Sequence, residues 1–257
     1  MNEKNVVPSW LSAPLSLLAW TAAIFFTIFF YLFGLFFVLP FSLLFDRGTR
    51  GLIHGVARIW ACSIMAVNPV WRLKVEGREN IEPGRNYVLV ANHQSLLDIL
   101  VVLAGLPLHF KFMAKAELFS IPFIGWHMKL AGYIPLDRSS RESGRKAVFA
   151  AREWLRKGVS VLFFPEGTRS PDGQLHPFKM GAFKVAQEEK VPILPIVIDG
   201  TGEAVPKKSW SLKKKTNFFL LIGRPIRVDS KDILLEKICG EVREGMAKRL
   251  ARIRALR

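Results

Sequence analysis

From Asn5 to Phe45 the chain carries no charged side chain, and Leu15–Phe45 is almost wholly apolar. A bilayer core is crossed by roughly 20 helical residues, so this run is long for one untilted span. It also exceeds the roughly 7–15 apolar residues at the core of a secretory signal. A water-soluble home would require a partner of comparable apolarity, and no other segment offers one. Two arrangements satisfy these constraints. Either one tilted transmembrane helix forms, or Gly34 and Pro40 bend the run into two shorter helices that enter the membrane and return. Arg47, Arg50 and Arg58 come after the run, against Lys4 and Glu3 before it. That basic excess places the downstream chain on the cytoplasmic side. A membrane-embedded helical segment is therefore expected over residues 1–60, with a domain over 61–257 at the cytoplasmic face of a membrane, a bacterial inner membrane being the expected one.

Past residue 70 the pattern changes to short β-branched runs alternating with helical periods. Arg72–Val75, Tyr87–Ala91, His109–Met113, Tyr133–Leu136, Val159–Phe164, Ile193–Ile198 and Phe218–Ile222 read as strands. Leu96–Gly105, Arg141–Lys157, Lys179–Glu189 and Lys231–Leu256 read as helices, with Gly158 as a stop signal. Alternation of this kind predicts an α/β domain whose mostly parallel central sheet is flanked by helices. Val205–Thr216, rich in Lys and Ser, reads as a surface loop.

With 50% hydrophobic and 23% charged residues, the 257-residue chain can build a core, and global disorder is excluded. The net charge of +16 demands an anionic partner. Residues 207–257 hold 15 Lys or Arg against 5 Asp or Glu, densest at Lys207, Lys208, Lys213, Lys214 and Lys215. Anionic membrane lipids, the phosphates of coenzyme A or an acidic acyl-carrier protein suit such a patch. Nucleic acid is not expected, because no recognised binding module accompanies the charge. Cys62 and Cys239 lie too far apart in sequence for a metal-ligand spacing, and neither a disulfide framework nor a metal site is expected.

Asn92-His93-Gln94-Ser95-Leu96-Leu97-Asp98 succeeds one strand and opens a helix, the place where α/β folds put their sites. On one continuous helix, residues five apart point to different faces. With His93 in the loop and Ser95 as the cap, however, Asp98 in the first turn can reach back to the imidazole. The carboxylate then fixes the tautomer and leaves the other nitrogen as a general base. The same residues also fit a capping box, Ser95-x-x-Asp98, in which Asp98 only satisfies backbone donors. Spacing leaves both readings open. No Gly-x-Ser-x-Gly accompanies them, so direct attack by a substrate hydroxyl is the simpler scheme. His54, His109, His127 and His176 lack a matching carboxylate, and packing or surface roles suffice for them.

With this block the sequence resembles the glycerolipid acyltransferase family, most closely its 1-acylglycerol-3-phosphate acyltransferases. Three further blocks stand in order: Gly132-Tyr133-Ile134-Pro135-Leu136-Asp137-Arg138, then Phe164-Pro165-Glu166-Gly167-Thr168-Arg169-Ser170, then Val191-Pro192-Ile193-Leu194-Pro195-Ile196. The resemblance covers roughly residues 70–225. It implies that His93, oriented by Asp98, deprotonates the sn-2 hydroxyl of lysophosphatidic acid, which attacks acyl-CoA or acyl-carrier protein to give phosphatidic acid. Lys115, Arg138 and Arg169 would bind the acceptor phosphate, a role for which planar guanidinium groups are suited. Glu166 is expected as a hydrogen-bond partner within the substrate loop, and Gly167 and Thr168 as residues that shape it. No cofactor is expected beyond the acyl donor. Another lysophospholipid, glycerol-3-phosphate or a lyso-aminolipid is the alternative acceptor, and a non-catalytic basic membrane scaffold the alternative from another class.

Overall fold

In the computed structural model, residues 7–46, 48–204, 212, 215–228 and 234–255 are described. The apolar run forms helix α1 (Ser9–Phe33), a π-helical turn (Gly34–Val38) and helix α2 (Leu39–Phe45). Pro40 has no N–H to give the preceding turn, and the ladder absorbs it by widening: Leu39 N bonds to Gly34 O. Gly34 and Pro40 thus loosen the helix locally and do not fold it back on itself, so Trp10–Phe45 is one long apolar helical stretch. The reversal comes later, after Asp46, and leads into helix α3 (Gly51–Val67). That helix continues past residue 60, so the helical segment extends to Val67.

Ile53, Val56, Ala57, Ala61 and Ile64 recur at helical spacing and are buried, giving α3 an inward face that packs on α1. Trp60 Nε1 donates to Thr27 Oγ1 at 3.1 Å across that contact. The opposite face of α1 and α2 stays uncovered. Phe25, Phe29, Phe33, Phe36, Phe37 and Phe41 are exposed, and Phe25, Phe29, Phe33 and Phe37 stack in succession at i, i+4. An uninterrupted aromatic face of this size marks a membrane or partner contact; its composition and position associate it with a membrane.

The remainder alternates as expected. Strands β1 (Trp71–Glu76), β2 (Val88–Ala91), β3 (Phe110–Lys115), β4 (Ile134–Leu136), β5 (Ser160–Phe163), β6 (Ile193–Asp199) and β7 (Thr216–Ile222) form one sheet in the order β1-β7-β6-β2-β5-β3-β4. Every pairing is parallel except β6 with β7. Central strands have no wet face, which explains their continuous apolar sequence. Leu89 and Ala91 point into a core with α3 and α4 (Leu97–Gly105), and Val88 and Val90 into a second core. That second core is closed by α6 (Arg141–Arg156), α7 (Gly181–Glu189) and α9 (Leu235–Ala255). Short helices α5 (Ile124–Leu130) and α8 (Thr201–Ala204) complete the architecture. The expected helix start at Lys231, and the loop lysines Lys207, Lys208, Lys213 and Lys214, lie outside the described residues.

A buried lysine ties the sheet to the residue that follows α5. Lys111 on β3 is fully buried; its Nζ donates to Ala131 O at 2.7 Å and lies 4.7 Å from the Trp154 ring centre. Nearby, Arg50 Nη1 donates to Lys129 O at 2.9 Å and Leu130 O at 3.0 Å, anchoring the start of α3. Burial, and then the charge of Arg50, push the Lys111 ammonium down from 10.5 to about 7. The unfolded chain then binds an extra proton between those two values, so stability should rise with pH from about 7 to 10.5 and lose this slope below it. Thermal midpoints measured across that window should climb more steeply for the wild type than for Lys111→Met. Parallel curves would remove Lys111 as the titrating group.

Candidate active site

Four adjacent parallel strands end along one edge of the sheet, and each delivers a block singled out by sequence. His93 lies just past β2, the Phe164–Ser170 turn just past β5, Lys115 at the end of β3 and Arg138 just past β4. Strand β6, beside β2, ends at the same edge, because β2 and β6 are parallel.

His93 is 7% exposed, and its ring lies over Phe164 with centres 4.2 Å apart and planes at 23°. His93 Nδ1 is 2.7 Å from Asp98 Oδ2, and Asp98 is fully buried. The same Oδ2 accepts from the backbone N–H groups of Gln94 at 2.6 Å and Ser95 at 2.9 Å. Helix α4 begins at Leu97, with Leu96 rather than Ser95 at its N-cap position; Ser95 Oγ accepts from Leu97 N at 3.3 Å. The two readings of Asp98, imidazole partner and satisfier of helix-start donors, are both true of one oxygen. With Nδ1 donating to the carboxylate, Nε2 is the nitrogen able to receive a proton.

Residues that the motif spacing does not reveal complete this unit. Thr201 Oγ1, fully buried at the start of α8, donates to Asp98 Oδ1 at 2.5 Å. Each oxygen of a charge held away from water therefore has a donor, which a buried carboxylate requires. Asn92 ties the loop to β6 twice: its Nδ2 donates to Ile198 O and its Oδ1 accepts from Ile198 N, both at 2.8 Å. These partners stand 103 and 106 positions away, where no local periodicity points. The Gly200-Thr201 pair, a short turn just past the fourth block, is the only signal the chain offers for them.

The turn after β5 holds the catalytic loop from the other side. Glu166 is buried; its Oε1 accepts from His93 N at 2.9 Å and its Oε2 from His176 N at 3.1 Å. Ser170 N donates to His93 O at 2.7 Å. Burial raises the Glu166 carboxyl above its ordinary value, while the two backbone donors oppose that rise. Gly167 sits at φ +75, and a Cβ there would lie 2.7 Å from Lys179 Nζ, so the glycine makes room for an ammonium absent from the expected set of cations. Thr168 and Arg169 are exposed beside it.

The three expected phosphate ligands come from three neighbouring strand ends. Arg169 lies in the turn past β5, the strand next to β2, whereas β3 and β4 are two and three strands from β2, roughly 10 and 14 Å at the usual spacing. Lys115 is exposed and paired with Glu117 at 2.9 Å, and Arg138 is exposed in the turn after β4. What they share with His93 is the sheet edge. Below that edge, an apolar cavity of about 610 Å³ runs between α1, α3, α4 and α5, lined among others by Trp60, Leu97, Leu100, Phe112 and Met128. Leu96 and Leu97 line it too, so it begins beside the His93–Asp98 loop. Among the described residues, no group of three or more His, Cys, Asp or Glu is placed to hold a metal ion.

A buried His–Asp pair thus stands at the carboxyl edge of the sheet, next to a cation-bearing turn and an apolar cavity. Residues 72–199 match the family model described as Acyltransferase, so the chain carries a domain of that family. It is 39% identical over 208 residues to the 1-acyl-sn-glycerol-3-phosphate acyltransferase BAT2, chloroplastic, of Brassica napus, covering 80% of this chain and 60% of that protein. It is 40% identical to the 1-acyl-sn-glycerol-3-phosphate acyltransferase LPAT1, chloroplastic, of Arabidopsis thaliana, covering 80% and 58%. The chain thus spans about 60% of the length of these curated relatives. The crystal structure of the 1-acyl-sn-glycerophosphate (LPA) acyltransferase PlsC from Thermotoga maritima superposes with a TM-score of 0.71 at 29% identity, over 92% of this chain and 98% of that one.

Because both Glu166 oxygens accept from backbone N–H groups, an amide in its place would supply one acceptor and turn its NH₂ toward the other donor. Glu166→Gln should cost about 1–3 kcal/mol of stability, read from denaturant midpoints, and lower the acyl-transfer rate through the displaced His93 backbone. A variant as stable as the wild type would show that the carboxylate does not hold the loop.

Proposed function

We propose that the chain transfers a fatty acyl group from a thioester, acyl-CoA or acyl-carrier protein, to the sn-2 hydroxyl of lysophosphatidic acid, giving phosphatidic acid. The observation that carries this reading is the 2.7 Å contact of His93 Nδ1 with Asp98 Oδ2, which leaves Nε2 as the basic nitrogen at the sheet edge where neighbouring strand ends display their cations. The acceptor hydroxyl gives its proton to Nε2 as its oxygen bonds to the thioester carbonyl carbon. Collapse of the tetrahedral intermediate breaks the C–S bond, and the imidazolium returns the proton to the leaving thiolate. Asp98, bonded to Nδ1, stabilises the imidazolium.

Arg169, in the turn after the strand next to β2, is assigned to the acceptor phosphate, with Lys179 against Gly167 of the same turn. Lys115 and Arg138, farther along the edge, are assigned to the distal part of the acceptor or to the donor's phosphates. The apolar cavity is assigned to an alkyl chain, because the helical hairpin and α4 wall it almost entirely with hydrocarbon side chains. The exposed aromatic face of α1 and α2 supports attachment to a membrane and supply of an amphiphilic acceptor from it. On the basic residues that come after this helix, we place the domain at the cytoplasmic face, in a bacterial cell that of the inner membrane.

Purified protein assayed with both donor types against lysophosphatidic acid, lysophosphatidylcholine, glycerol-3-phosphate and a lyso-aminolipid tests the acceptor. Lysophosphatidic acid should give the highest kcat/KM. Arg169→Ala should raise KM for it by about 10-fold or more, as expected for a lost charge-assisted hydrogen bond. Preference for an acceptor without a phosphate monoester, or an unchanged KM in the variant, would overturn the assignment.

A further inference from the structure

Arg254, in the last turn of α9, lies outside every sequence block and outside the residues matched by the family model. Its guanidinium nevertheless reaches the site's supporting frame. Nε and Nη2 each donate to Asp199 Oδ1 at 3.2 Å, and Nη2 also donates to Gly173 O at 2.6 Å. Asp199 ends β6, and its side chain is 3% exposed. The same Oδ1 accepts from Gln94 Nε2 at 3.2 Å, and Gln94 also donates to Ile198 O at 3.2 Å. Gln94 is the next residue after His93, and its backbone N–H is one of the Asp98 donors.

Gly173 belongs to the other wall. In its loop, Asp172 Oδ1 accepts from Ser170 Oγ at 2.8 Å and Gln174 N at 2.9 Å, and Ser170 N holds His93 O. Gly173 sits at φ +73, and a Cβ there would stand 3.0 Å from Arg254 Nη2, a tight approach. One planar fork therefore spans two segments that meet at the histidine: the catalytic loop, through Asp199 and Gln94, and the cation-bearing loop, through Gly173. A lysine ammonium is a point charge and lacks the fork needed to reach both acceptors in one orientation.

We propose that Arg254 is a positioning residue for acyl transfer, clamping the His93 loop against the Arg169 loop from the C-terminal helix. Its kinetic arm rests on the acyl-transfer reading; its structural arm does not. The neighbouring Arg252 is a built-in control, since it also ends α9 but pairs with the exposed Glu76 at 2.8 Å, away from the site.

The test compares full-length Arg254→Met, Arg254→Lys and Arg252→Met in detergent micelles. Arg254→Met should speed backbone hydrogen exchange about tenfold or more over residues 92–96 and 170–176, with thermal midpoint nearly unchanged, and Arg252→Met should not. The kcat/KM for the acceptor should fall about tenfold in both Arg254 variants, the lysine giving no full rescue. Unchanged exchange in the two segments, equal acceleration in Arg252→Met, or local acceleration without kinetic loss would each overturn the proposal. Should the wild type acylate no acceptor at all, the functional reading fails, and the exchange data alone decide whether the clamp exists.

Discussion

The Asp98 carboxylate accepts four hydrogen bonds in a fully buried position, and the site is arranged around keeping that charge satisfied. Three donors converge on one oxygen: the imidazole and two backbone N–H groups of the loop that carries it. The fourth, from Thr201, reaches the other oxygen from a neighbouring strand end. A buried anion without these partners would be strongly unfavourable. With them it fixes the loop and helix start and holds the imidazole in one orientation, so the local structure that caps α4 is also the structure that prepares the base.

The parallel sheet makes that double use possible. Carboxyl ends of adjacent parallel strands lie on one edge, so residues far apart in the chain come within reach without long loops. Strand β2 brings His93, β5 brings Glu166 and Arg169, and β6 brings Asp199 and Thr201. Glu166 and Asn92 then pin the catalytic loop from opposite sides, to β5 and β6 respectively. On one face of the sheet, the helical hairpin adds an apolar cavity and an aromatic surface, so the same frame faces water at its edge and hydrocarbon below it.

Much of this is legible in the residues. Continuous apolar runs mark the central strands, because strands buried on both faces have no polar side to alternate. The Asn92–Asp98 and Phe164–Ser170 blocks locate the site, because strand-end loops leave a local signature. Long-range partners leave far less: Ile198 and Thr201 meet the block across the sheet, and Arg254 acts from α9. The antiparallel entry of β7 is equally invisible, since a buried strand reads the same in either direction. Gly34 and Pro40 leave a continuous helix and a bent hairpin both open; a π-helical turn absorbs the proline, the helix runs on to Phe45, and the chain turns after Asp46. Spacing leaves Asp98 as either an imidazole partner or a satisfier of backbone donors; the distances show one carboxylate oxygen doing both.

The central claim is that the imidazole held by Asp98 acts as the base toward an acceptor hydroxyl. The most direct measurement is the acyl-transfer rate of His93→Ala at saturating donor and acceptor, with far-UV and near-UV circular dichroism confirming an intact fold. Loss of a positioned general base should lower the rate by roughly 10²–10⁴, with donor binding retained. A folded variant that transfers acyl groups within about threefold of the wild-type rate would contradict the account, because a group that contributes so little lowers the barrier by less than about 1 kcal/mol.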